Sequence, residues 1–164
     1  MAALTRANQL IANGKPAEGA AVLAGLASEL ANSNHPRRAA NAHARAAHAY
    51  ADSRDGAAAL AQSRAALGLF LQYRMARRAP VFFANITRKL NGAGFKTEAA
   101  ALQSEFGAQI GQLPAIPAFG AGQRRGQLPT NCPKCGAPVH SDEADWVDAN
   151  TVECDFCGSL IRSE

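Results

Sequence analysis

Four cysteines, all within the stretch from Cys132 to Cys157, constrain this chain more than any other feature. They read Cys132-Pro133-Lys134-Cys135-Gly136 and Cys154-Asp155-Phe156-Cys157-Gly158, a C-x2-C pair, eighteen intervening residues and a second C-x2-C pair. This spacing suits a four-thiolate metal site, because each pair forms a tight turn that aims two sulfurs at one point. The Gly after each second Cys permits the positive φ such a turn needs. Two local disulfides, or reduced spare thiols, are the competing readings. Four protein ligands fill a tetrahedral shell, whereas a catalytic zinc keeps one position for water. The expected metal is therefore structural, holding together a piece too small to build its own core.

The remaining composition bears on what surrounds that site. Alanine dominates the stretch 1–110 and aromatic side chains are few, which predicts helices that approach closely over small side chains. Residues 1–110 carry +7, residues 111–131 carry +2 and residues 132–164 carry −5. A basic helical body joined to an acidic metal knob is the electrostatic outline. No apolar run of about 18 residues predicts a membrane span. Met1 to Gln9 lack the order of a signal peptide, and paired Cys without an export signal points to a reducing compartment, so a cytoplasmic location is expected.

The helical region contains an internal repeat. Gly14, Arg54 and Gly94 share one phase of a 40-residue period, with Leu10, Tyr50 and Leu90 before the turn and Ala20, Leu60 and Ala100 after it. Pro16, Pro36 and Pro80 are expected to open helices, and Asp55 and Thr97 to cap them. The pattern predicts six helices at 3–13, 16–31, 36–53, 56–78, 80–91 and 97–110. A period of this size with a helix–turn–helix unit predicts stacked helical hairpins.

The order Ala7-x2-Leu10-x3-Gly14-x2-Ala17-x2-Ala20 resembles the tetratricopeptide repeat over residues 1–110. The resemblance implies a helical scaffold whose concave face binds a protein partner. Residues 111–131, with four Gly and three Pro, read as a linker in which Leu113, Ile116, Phe119 and Leu128 are apolar anchors. The tail from Leu128 to Glu164 resembles a zinc ribbon. That resemblance implies strands at 137–140 and 151–153, a turn over 142–150 holding Trp146 and Val147, and a small core of Val139, Trp146, Val152, Phe156, Leu160 and Ile161. The expected fold is thus mainly α, stacked TPR-like hairpins at 1–110, a Pro/Gly linker at 111–131 and a small C-terminal β zinc ribbon at 132–164.

The chemistry implied at Cys132, Cys135, Cys154 and Cys157 is Zn2+ binding, with iron as the rival, since rubredoxin sites also use two such knuckles and would make the chain an electron carrier. His140 follows the first knuckle but faces a shell already filled by Cys. His43 and His48 are five apart, not four, and read as exposed or groove-lining. Asp142, Glu143, Asp145 and Asp148 read as a solvated tip rather than a carboxylate pair, because tuning a general acid needs a desolvated pocket. Nucleophile, phosphate-loop and dinucleotide motifs do not occur, so no enzyme activity is expected. The function expected is a protein–protein interaction module. The alternative is a nucleic-acid or ribosome-associated factor contacting phosphates through Arg37, Arg38, Arg45, Arg74, Arg77, Arg78, Arg88 and Lys89.

Overall fold

The computed structural model describes residues 2–113, 126–137, 139, 145–146, 149–154 and 159–163. Six α-helices come first: α1 Ala2–Ala12, α2 Pro16–Asn32, α3 Pro36–Asp52, α4 Gly56–Gln72, α5 Arg78–Gly92 and α6 Lys96–Gly111. A three-stranded antiparallel sheet follows, with β1 Asp145–Trp146, β2 Thr151–Glu153 and β3 Leu160–Arg162 in the order β1-β2-β3. Trp146 pairs with Val152, and Val152 with Ile161. The fold is mainly α, with a small β element at the C-terminus.

One turn, used five times, sets the helical layout. Gly14, Asn34, Arg54, Arg74 and Gly94 all have positive φ, between 53° and 91°, and recur at a constant spacing, every twentieth position. Around each, the next residue's N–H returns to the carbonyl five back: Lys15 to Leu10, His35 to Leu30, Asp55 to Tyr50, Met75 to Phe70 and Phe95 to Leu90, at 2.8–2.9 Å. The left-handed residue itself bonds three back, as Gly14 does to Ile11 and Gly94 to Asn91. This pair of bonds is the Schellman ending, which satisfies carbonyls a helix would otherwise leave open. The residue after the turn then starts the next helix, its carbonyl accepting from Gly19, Ala39, Ala59, Ala79 or Ala99. These five small residues are buried, so successive helices cross closely. At Gly19 a Cβ would stand 2.5 Å from Ile11 Cγ1, so α1 and α2 require glycine there.

The repeat is therefore a single helix with its turn, and the 40-residue period in the sequence is a pair of such units. One intermediate turn is hidden in the sequence, at Arg74, where an arginine stands at the left-handed position within an apolar run. This shifts one helix boundary. The predicted fourth helix ran to 78, but α4 ends at Gln72 and Arg74 begins a new turn. The apolar stripe through Leu69, Phe70, Leu71 and Tyr73 reads as uninterrupted helix, yet the backbone reverses beneath it. Pro80 accordingly lies in the first turn of α5 rather than at its first position, while Pro16 and Pro36 open α2 and α3 as expected. Asp55 caps α4, its Oδ1 accepting from Ala58 N at 2.9 Å. Thr97 lies inside α6, whose N-cap is Phe95.

The cores follow from this stacking. α3 lies between α2 and α4 and buries seven alanines, the small-residue seam its composition predicts. A larger core joins α3 to α6 through Leu67, Phe70, Phe82, Ile86, Leu90 and Leu102. Leu113, at the start of the linker, packs against this core. Ile116 and Phe119, the next expected anchors, lie outside the described residues. His48 of α3 meets the Phe82 ring edge-on at 5.5 Å, so it packs inward between helices instead of facing solvent. Burial, with Lys89 nearby, pushes His48 down to about 4, although Asp52 opposes the shift. Lys89 Nζ reaches Asp52 Oδ2 at 2.7 Å and ties α5 to α3.

Two outcomes follow for stability. Arg54 and Arg74 are exposed residues held in a conformation that is strained for a side chain. Arg54→Gly and Arg74→Gly should each raise stability by about 0.5–1 kcal/mol, read as a higher urea midpoint at unchanged slope. His48 takes up its proton near pH 6.5 when unfolded and near pH 4 when folded, so stability present above pH 6.5 is lost as pH falls toward 4. The loss is at most about 3 kcal/mol, and urea titrations at pH 7 and pH 4.5 should show it reduced in His48→Gln.

Candidate metal centre

The two knuckles close in the same way. Cys132 N donates to Ala137 O at 2.7 Å and Cys154 N donates to Ser159 O at 2.8 Å, each spanning five residues. The first is a short hairpin, since Val139 N also reaches Thr130 O at 2.9 Å, and Gly136 takes φ +70° while its N–H bonds Cys132 O. The positive φ expected of the glycine after the first Cys pair is thus present.

Sγ atoms of Cys132, Cys135 and Cys154 lie within 4.8 Å of one another. The Cys135–Cys154 separation is 3.7 Å. Thiolates around a tetrahedral ion at 2.3 Å stand about 3.8 Å apart, so the geometry fits shared ligation. None of the three is in a disulfide. Their residues are 2%, 9% and 3% exposed. Cys157 lies outside the described residues, as do His140, Asp142, Glu143, Val147, Asp148 and Phe156.

Local electrostatics favour the thiolate. Burial pushes the Cys132 thiol up, but hydrogen bonds from the Ser159 hydroxyl, the Cys135 and Lys134 N–H groups and the Cys154 thiol bring it down to about 6. Ser159 Oγ is 3.4 Å from Cys132 Sγ. A lowered thiol pKa favours the thiolate form that a metal ligand requires.

The knuckles do not stand alone. Cys132, Cys135, Ala137, Trp146, Val152, Cys154 and Ile161 share one apolar cluster with Leu4 and Ala7 of α1, Leu23 of α2 and Ala46 of α3. Leu128, at the far end of the linker, joins the same cluster. Trp146 belongs to β1, not to a turn, and its indole is buried against this shared core. Leu160, expected inside, is 64% exposed, while Val152 and Ile161 fill the interior.

A helical residue completes the neighbourhood. Arg45 of α3 is pulled down to about 10 by burial, while the charges of Cys135 and Cys154 act to raise it. Its Nη2 donates to Asn8 Oδ1 of α1 at 2.6 Å. In the sequence Arg45 is one of eight basic residues grouped as a phosphate-binding face, and nothing there ties it to the cysteines. Others of that group also have internal partners: Arg78 reaches Asn41 at 3.3 Å and Lys89 reaches Asp52. Arg74, Arg77 and Arg78 span the α4–α5 turn and so do not share one helix face.

Comparison with protein-family models, with curated proteins and with solved structures returns no match to this chain. Among the described residues, no helix is long and apolar enough to cross a membrane.

Trp146 is the only tryptophan in the sequence and lies where the knuckles meet the helices. Chelation should therefore shift its emission to the red while far-UV circular dichroism keeps most of its helical signal. Leu4→Gln, on the helical side of the same cluster, should shift the emission in the same direction without any change to the cysteines. Emission unaffected by Leu4→Gln would mean that the indole does not rest on α1.

Proposed function

We propose that this chain is a non-enzymatic protein-interaction module built around a structural Zn2+ site. Cys132, Cys135, Cys154 and Cys157 would hold the ion, three of them on the strength of their convergence and Cys157 on its place in the second C-x2-C pair. The zinc ribbon so formed would be fastened to an array of TPR-like hairpins, and the helices not covered by it would present their surface to a protein partner.

The observation that carries this reading is the burial of three converging thiols beneath the first helices. A thiolate site this enclosed suits a structural ion, because a catalytic ion needs a position open to water and substrate. Zinc is favoured over iron because it takes tetrahedral thiolate coordination without any redox partner. Metal binding would supply folding free energy to a segment too short to fold by its own core. Tyr73 and Val81, 38% and 48% exposed around the α4–α5 turn, support apolar contact with a protein on the helices away from the ribbon. Such contact should respond weakly to salt, whereas phosphate contacts weaken steeply.

Elemental analysis of protein purified without added metal should find one zinc per chain and no visible colour. Cys154→Ser should lose the ion at neutral pH and unfold the ribbon. One iron with thiolate charge-transfer colour would overturn the assignment and make the chain a redox protein. A Cys154→Ser protein still folded and fully loaded would overturn the structural role.

A further inference from the structure

We propose that the outward face of α5, with the turn before it, is a docking surface for a protein segment that is acidic and carries an apolar side chain between its carboxylates. This inference rests on the reading of the chain as a protein-interaction module and names the chemistry of the partner.

Helical spacing sets the face. Arg77, Val81, Ala84 and Arg88 stand at i, i+4, i+7 and i+11, so they fall on one side of the helix. Ala79, Phe82, Ile86 and Leu90 fall on the other side and are buried. Val81 is 48% exposed, and Ala84 and Arg88 are exposed with it. Tyr73 and Arg74, exposed in the preceding turn, extend the same surface. Arg88 Nη1 lies 3.4 Å from Asn85 Oδ1, which holds the guanidinium along the helix. The described residues of the ribbon pack on α1, α2 and α3 and leave α5 aside.

Charge indicates what the face would accept. Residues 56–97 contain no Asp or Glu but seven Arg and Lys. Arg64, Arg78 and Lys89 turn to Glu105, Asn41 and Asp52 within the fold. Those contacts also occupy the carboxylates of Asp52 on α3 and Glu105 on α6. Arg74, Arg77 and Arg88 remain to give the face its basic character. The first turn of α5 holds no acidic residue, so the positive end of the helix adds to the same potential.

The middle of the face favours a peptide over a nucleic acid. Arg77 and Arg88 stand about 16 Å apart along the helix axis, and Val81 and Ala84 lie between them. Neither side chain can bond a phosphate or a base edge, so a polynucleotide laid across this interval would press charged groups onto apolar surface. A peptide can seat an apolar side chain there while carboxylates on both sides reach the guanidinium groups, which bind carboxylates through paired hydrogen bonds. Trp146, amid the chain's own acid-rich stretch, is held in the cluster on α1, α2 and α3, so the occupant is a separate molecule.

The test is selection of a displayed library of random peptides on the full chain, followed by fluorescence anisotropy of the enriched sequences. These should carry Asp or Glu on both sides of an apolar residue. Val81→Asp and Arg88→Glu should each weaken their binding about 10-fold. Arg6→Glu, the same charge change at an exposed position of α1, should match the wild type. A rise in salt should leave most of the affinity, because the centre of the contact is apolar. Enriched peptides without acids would overturn the inference, and so would acidic ones that bind Val81→Asp and Arg88→Glu as tightly as the wild type. Both results would leave the interaction-module reading in place. Circular dichroism checks that the variants keep their helices, and if Val81→Asp unfolds, Arg88→Glu carries the decision. A library from which nothing is enriched would overturn the inference as well. If a single-stranded oligouridylate then bound, and Arg74→Glu and Arg88→Glu abolished that binding, the surface would belong to a nucleic acid and the interaction-module reading would fall with it.

Discussion

The left-handed turn that recurs at every twentieth position underlies the rest of the structure. A helix of 17 residues, as in α2, α3 and α4, is about 25 Å long. Because the same Schellman bonds end α1 to α5 at the same phase, large and small positions recur in step. Leu30, Phe70 and Leu90 bury their side chains just before the turn, and Ala39, Ala79 and Ala99 admit the neighbouring helix just after it. A change in one turn would rotate every later helix face, since each residue of α-helix adds about 100° of rotation. The apolar face of Leu4, Ala7, Leu23 and Ala46 exists only because three such helices keep this phase.

That face gives the knuckles somewhere to fold. A three-stranded sheet with strands of two and three residues buries too little surface to be stable alone. In this chain its interior is extended by the helices: Trp146, Val152 and Ile161 meet the same cluster as Leu4 and Leu23. The sulfurs lie inside that joint core, in a medium that strengthens any charge interaction they make. The opposite net charges of body and tail, +7 and −5, favour the same docking, though screening limits their reach to about 8 Å at physiological salt. Apolar burial acts at contact distance, where screening matters little.

The two parts of the chain were legible to different degrees. The knuckle spacing, the glycine after Cys135 and the cap at Asp55 could all be read directly, because each depends on residues within a few positions of one another. Five of the six helices could be placed to within a residue or two for the same reason. The turn at Arg74 could not, since an arginine at positive φ carries no local signature and the apolar stripe runs across it. A search for the shared phase of Leu10, Leu30, Tyr50, Phe70 and Leu90 would have found it. His48 reads as exposed or groove-lining because α3 carries alanines on several sides and so hides which face is inner. Trp146 looked like a turn residue because its acidic neighbours mask a strand only two residues long.

By itself the sequence determined the helical body, its hairpin repeat and the clustering of thiols, since propensity, turn chemistry and C-x2-C spacing act over short stretches of chain. Only the tertiary structure decided that the knuckles rest on α1, α2 and α3, that Leu160 faces outward while Ile161 faces inward, and that Arg45 of α3 bonds Asn8 of α1. The knuckle contacts join the first third of the chain to its last fifth. They depend on the angle at which each helix leaves its turn, summed over three helices, and no local pattern encodes that sum.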